Sequence, residues 1–183
     1  MTLCYSPESK PLSLKIQILS WRLFGEPIFR IIPTPFFSIR SALLRCFGAK
    51  IGKNVRIYPS VRIWLPNRLK IGPHVGVGEG VYLYNKSLIS IASGSILSRG
   101  SFVATASHDY NSPGFELVSK PVIIGKLCWI ASSTIILPGI TIADGTVIGA
   151  GSVVTVNTVE WTLYCGNPAR AIRKRSYAVK SAS

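Results

Sequence analysis

From Ile124 onward a branched aliphatic residue returns at every sixth position: Ile124, Ile130, Ile136, Ile142, Ile148 and Val154. An α-helix returns its apolar residues three and four apart and a simple strand two apart, so neither produces this spacing. A repeat of one aliphatic, one small and four variable residues predicts a parallel β-helix, in which each repeat is a short strand and a corner. The residue two before each aliphatic position (Val122, Cys128, Thr134, Ile140, Thr146, Ser152) should then also point inward, and the residue between them outward. A small residue after the aliphatic one lets the backbone turn.

The same spacing runs earlier through Ile51, Ile57, Ile63, Ile71, Val77, Leu83, Ile91, Leu97 and Val103, giving fifteen positions and, at three per coil, about five coils. At roughly 4.8 Å per coil the prism is about 20 to 25 Å tall. Slips of two residues at Leu69-Lys70 and Ser87-Leu88 are assigned to corners, because an insertion inside a strand would turn its side chains over. The expected organisation is a helical capping segment over 1–48, a β-helix over 49–155 with a long loop at 105–121, and a closing segment with a basic tail over 156–183.

Ahead of the repeats, Leu12, Ile16, Leu19 and Leu23 recur at helical spacing, which predicts a short amphipathic helix over 12–24. Glu26-Pro27 and Ile32-Pro33-Thr34-Pro35 should interrupt it. A second helix is expected from a Ser38 cap to Phe47, closed by Gly48. Two roles stay open for this segment: it caps the free end of the solenoid, or it also rests on an anionic membrane surface.

Charge sharpens that question. The 183 residues carry a net charge of +14, and twelve of the 21 Lys and Arg precede Ile71 against two acids, Glu8 and Glu26. An anionic partner is implied, but no nucleic-acid recognition motif accompanies the charge. Outward positions of the repeats change from Lys50, Arg56, Arg62 and Lys70 to Ile96, Phe102, Ile123, Trp129, Ile135, Val147 and Val153. Apolar side chains on the outside of a prism ask for a neighbour, so a homo-oligomer packed through the later coils is expected. Four separated cysteines without a CxxC pair suggest reduced thiols in a cytoplasmic protein, and neither a cleaved signal peptide nor a spanning helix is read.

Between Val103 and Ile124 the repeats give way to a long polar excursion containing His108, one of two histidines. Loops of that length in a compact domain are usually functional. With Ser107-His108-Asp109-Tyr110, Lys120-Pro121, Trp129-Ile130 and Gly166-Asn167-Pro168-Ala169-Arg170, the sequence resembles the hexapeptide-repeat acyltransferases, within them the maltose and galactoside O-acetyltransferase group, and most closely the colanic-acid-type exopolysaccharide acetyltransferases.

The resemblance implies an all-β, left-handed parallel β-helix that forms a homotrimer and moves an acetyl group from acetyl-CoA to a sugar hydroxyl in grooves between subunits. His108 matches the catalytic histidine, and an imidazole titrating near 6.5 suits a general base for a sugar hydroxyl. Ser132 matches the position near the thioester oxygen. Trp129 matches an aromatic wall of the site, Ala150 and Thr155 contacts to the pantetheine arm and nucleotide, and Arg170 and Arg173 basic residues near the CoA phosphates. Val156 and Asn157-Thr158-Val159-Glu160 depart from the family pattern, with one CoA contact expected to be lost. Asn85 is the candidate for hydrogen-bonding the acceptor, and Asp109 for orienting His108. A zinc enzyme on such a prism shares three histidines between subunits, whereas this chain has only His74 and His108, so no metal is expected. The reading from a different class is a non-catalytic β-helix scaffold.

Overall fold

The computed structural model describes residues 11–176. All fifteen repeat aliphatics are buried, and so is the residue two before each, from Ala49, Val55 and Val61 to Thr146 and Ser152. Three parallel sheets form the sides of a prism. The first face stacks Lys50–Ile51, Leu69–Ile71, Ile89–Ile91, Val122–Ile124 and Thr141–Ile142. The second stacks Arg56–Ile57, Gly76–Val77, Ile96–Leu97, Trp129–Ile130 and Val147–Ile148, and the third Arg62–Ile63, Tyr82–Tyr84, Phe102–Ala104, Ile135–Ile136 and Val153–Val154. Ile51, Ile71, Ile91, Ile124 and Ile142 stand in one unslipped column, each opposite the next. The fold is a left-handed parallel β-helix.

A partial sixth coil follows the five. Thr162–Gly166 extends the second face in parallel with Val147–Ile148, and Ala169–Lys174 returns antiparallel along it. The basic segment after Gly166 is therefore a strand through Lys174 rather than a tail, and residues 177–183 of the expected tail lie outside the described residues. The first slip also needs correction. Its extra residues lie in a tight 3-10 turn, Pro66–Arg68, because Leu69 is an inward residue of the strand and pairs with Ile89.

Helix α1 (Leu12–Ser20) does not stop at Glu26-Pro27. It passes through a wide π-turn, Trp21–Gly25, into helix α2 (Glu26–Ile31). The Glu26 N–H reaches back five residues to the Trp21 carbonyl, and Pro27 falls in the first turn of α2, where a missing N–H costs little. The chain leaves the helix at Ile32, ahead of Pro33, as expected. Helix α3 (Phe37–Cys46) is preceded by Phe36, and no side chain caps it, so the Ser38 cap is not formed; Ser38 already lies inside the first turn. Gly48 closes α3 at φ +89, with a hypothetical Cβ only 2.9 Å from Asn67 Cβ.

The helices cover the first coil. In this lattice each repeat aliphatic turns its carbonyl toward the preceding coil, as Ile71 does to the Gly52 N–H. The first coil has no predecessor, and three cap side chains take the place of one. Arg45 Nε donates to Ile51 O at 3.0 Å, Arg40 Nε to Ile57 O at 2.7 Å and Trp21 Nε1 to Ile63 O at 2.9 Å. One carbonyl on each face is thereby satisfied, and the open sheet edges are protected. Among the described residues, no helix is long and apolar enough to cross a membrane.

Candidate active site

The long excursion is a β-hairpin. Ala106–His108 pairs antiparallel with Leu117–Ser119, His108 standing opposite Leu117. Its root is fixed by Thr105, which is fully buried, donates its hydroxyl to Tyr84 O at 2.9 Å and accepts the Ser87 N–H at 2.8 Å. Its tip is a run of turns in which Asp109 N donates to Glu116 O at 3.0 Å, the Ser112 hydroxyl to Glu116 Oε2 and Phe115 N to Ser112 O at 3.0 Å.

His108 is exposed, and its Nδ1 lies 2.5 Å from the Phe115 carbonyl oxygen. A carbonyl can only accept, so Nδ1 carries the hydrogen and Nε2 keeps its lone pair toward solvent. That leaves the ring with one free basic nitrogen in a fixed orientation. Asp109 does not orient the ring as expected: its carboxylate accepts the Asn111 N–H at 2.9 Å and makes no bond to the imidazole. Phe115 carries no sequence signal for this role, because the group used is main chain. It adopts φ +46, a left-handed conformation that costs a non-glycine residue about 1 to 2 kcal/mol.

Asn85 is also corrected as an acceptor ligand. It is fully buried inside a corner, where Oδ1 accepts the Trp64 and Leu65 N–H groups at 3.0 and 3.1 Å and Nδ2 donates to Leu65 O at 2.6 Å. With its amide spent on the corner, it offers nothing to a sugar. The wider coil there needs such a filler, since its extra residues leave backbone groups facing inward. His74 sits in a corner turn at φ +59.

The remaining site residues lie elsewhere on the prism. Ser132 and Ala150 are exposed on successive levels of the corner between the second and third faces, where Gly151 N donates to Ser132 O at 2.9 Å. Beside them on the second face, Trp129 is half exposed and donates Nε1 to Ser98 Oγ at 3.0 Å. Arg170 and Arg173 are exposed on the returning strand of that face. His108 and Thr155 instead belong to the opposite corner, between the third face and the first. One chain thus divides the candidate residues between the two edges of its third face. Between those edges runs an outward apolar column, Phe102, Ile135 and Val153 in register, with Tyr82 stacked on Phe102 at 5.3 Å.

Buried Cys128 is an inward core residue whose thiol is pushed up to about 11 by desolvation, so it supplies no nucleophile. Trp64, Tyr82, Tyr84 and Phe102 form an aromatic cluster under the hairpin root, with ring centroids 5.3 to 6.3 Å apart, that the repeat pattern alone did not single out.

Residues 121–155 match the bacterial transferase hexapeptide (six repeats) family. Over 163 residues the chain is 42% identical to WcaF of Escherichia coli (strain K12), a provisionally named colanic acid biosynthesis acetyltransferase, covering 89% of this chain and 88% of that one. The chain belongs to the hexapeptide-repeat acetyltransferases and is an enzyme of that family. Among solved structures it is similar to a maltose O-acetyltransferase from Clostridium difficile 630, with a TM-score of 0.82, 27% identity and coverage of 91% and 90% of the two chains. The hexapeptide-repeat acetyltransferase VCA0836 of Vibrio cholerae complexed with acetyl coenzyme A shares the fold at a TM-score of 0.81, with 22% identity and coverage of 93% of each chain.

Proposed function

We propose that the enzyme transfers the acetyl group of acetyl-CoA to a sugar hydroxyl, with His108 as general base. The observation that carries this reading is the Nδ1–H donated to Phe115, which leaves Nε2 as the basic nitrogen of an exposed ring. Nε2 takes the hydroxyl proton as the sugar oxygen attacks the thioester carbonyl. The tetrahedral oxyanion collapses, the C–S bond breaks, and the imidazolium returns its proton to the departing thiolate, so neither an acyl-enzyme nor a metal is required. Ser132 would steady the oxyanion. Trp129 would wall the thioester, Ala150 and Thr155 would line the pantetheine arm, and Arg170 and Arg173 would hold the phosphates as charge-assisted donors.

The placement of His108 and Ser132 at different edges of the third face favours a site in which His108 of one copy faces the Ser132 edge of a neighbour, which supports a homotrimer packed through the apolar outward columns. The relationship to a colanic acid acetyltransferase supports a glycan intermediate as acceptor, and the basic N-terminal segment supports a cytoplasmic enzyme that touches the membrane peripherally. The deciding experiment incubates the protein and acetyl-CoA with candidate glycosides, nucleotide sugars and lipid-linked sugars. Acceptor-dependent release of free thiol, with an acetylated product of matching mass, is expected. Thiol release with none of them would overturn the sugar-acceptor reading.

A further inference from the structure

The sequence left two roles open for the N-terminal helices, and the structure assigns one to each side of the same helix. Toward the prism the run from α1 to α2 presents Trp21, Gly25 and Phe29, with Trp21 and Phe29 each 1% exposed. Away from it stand Leu12, Ile16, Leu19, Leu23, Ile28 and Ile31, between 50% and 79% exposed. From 12 to 23 these follow helical spacing, and the step from Leu23 to Ile28 is five residues because the π-turn adds one. The insertion keeps Ile28 and Ile31 in line with the earlier stripe. An uninterrupted α-helix would carry them off it by about 100°. The fold thus builds one straight apolar ridge on the side left exposed among the described residues.

We infer that this ridge inserts into an anionic lipid leaflet, with the prism standing off the surface. The charge around it fits that occupant. Lys15, Arg22 and Arg30 are exposed at intervals of seven and then eight residues, the second interval again spanning the π-turn, so they form a cationic row beside the ridge. Arg22 extends over Trp64, 4.5 Å from the ring centroid, and Arg30 bonds Glu26 at 2.7 Å. Residues 11–70 hold eleven Lys and Arg and only one acid, Glu26; the other described acids, Glu79, Asp109, Glu116, Asp144 and Glu160, all lie in later coils. A second copy set ridge to ridge would bring the two cationic rows together, whereas an anionic leaflet draws them in. The ridge is already folded, anchored to the prism by Trp21 and held at its end by the Arg40 bond to Ile32 O, so binding requires no new ordering.

This deepens the peripheral localisation proposed above, and its test reads membrane binding without transfer activity. Full-length protein is sedimented with phosphatidylcholine vesicles, with and without phosphatidylglycerol, at low and high salt. Binding is expected only to the anionic vesicles and should fall with salt. Ile16→Ser with Leu19→Ser and Leu23→Ser should lower the bound fraction by about tenfold or more, with thermal stability and acetyl-CoA-dependent thiol release in solution unchanged. No binding to anionic vesicles at low salt overturns the inference, and so does a triple variant that binds as well as the parent. Concentration-dependent self-association that the triple variant abolishes, without vesicle binding, would assign the ridge to a second copy instead. Loss of transfer with vesicle binding intact would count against the catalytic reading alone.

Discussion

The Phe115 carbonyl oxygen sits 2.5 Å from His108 Nδ1, seven residues along the chain, and fixes which imidazole nitrogen is basic. His108→Ala removes the group proposed to accept the hydroxyl proton. Transfer should fall by about 100-fold or more, with thermal unfolding unchanged, because the ring is exposed and holds little of the fold. Near-parental turnover in a steady-state assay would end the general-base assignment.

Arg170 and Arg173 are exposed on the returning strand and form no ion pair among the described residues, so their loss should leave the fold intact. If they hold the CoA phosphates, they bind ground and transition states alike. Replacing both with Ala should raise KM for acetyl-CoA several-fold with little change in kcat. A fall confined to kcat would place the nucleotide elsewhere.

The repeat spacing made the prism legible, because a six-residue period fixes both inward side chains of every strand, and all fifteen pairs are buried. Side chains that close irregular geometry were misread. Asn85 looked like a ligand because it is polar and beside the His108 loop, yet the widened corner consumes its amide. Glu26-Pro27 looked like a break because proline lacks a donor, but a π-turn absorbs that loss. The His108 partner was illegible because it is a carbonyl, which every residue has.

Arg40 spends its guanidinium on the carbonyls of Ile57, Ile32, Pro33 and Thr34, joining the cap to the first coil, and has no acid partner among the described residues. Arg40→Ala leaves buried acceptors unmatched, and stability should fall by about 3 kcal/mol or more in denaturant titrations. Arg40→Met, which restores volume but no donor, should recover little. Full recovery would show that packing rather than hydrogen bonding holds the cap.

Cys128 gives the fold an alkaline sensitivity. Its thiol is raised from 9.0 to about 11 by burial, so the folded state holds the proton more tightly than the unfolded one. The contribution is complete below the unfolded value and is lost as pH rises from about 9 to about 11, by roughly 3 kcal/mol at most. Cys128→Val removes the titrating group at similar volume. The parent's unfolding free energy should drop more steeply over that window than the variant's, and identical slopes would contradict it.

The division of candidate residues between the two edges of the third face has a consequence that mixed assemblies can test. His108→Ala should be inactive for want of a base, and Ala150→Trp, at an exposed corner, should be inactive by blocking the pantetheine path without disturbing the core. If each site takes His108 from one copy and the Ala150 edge from its neighbour, random co-assembly of the two variants gives one interface in about four with both residues intact. Co-refolded mixtures should therefore recover about a quarter of parental activity, while the separately refolded variants mixed afterwards recover none. A mixture that stays dead, with hybrid oligomers verified by mass, would place both residues of each site in a single chain. The hairpin would then have to reach across its own third face, over Phe102, Ile135 and Val153.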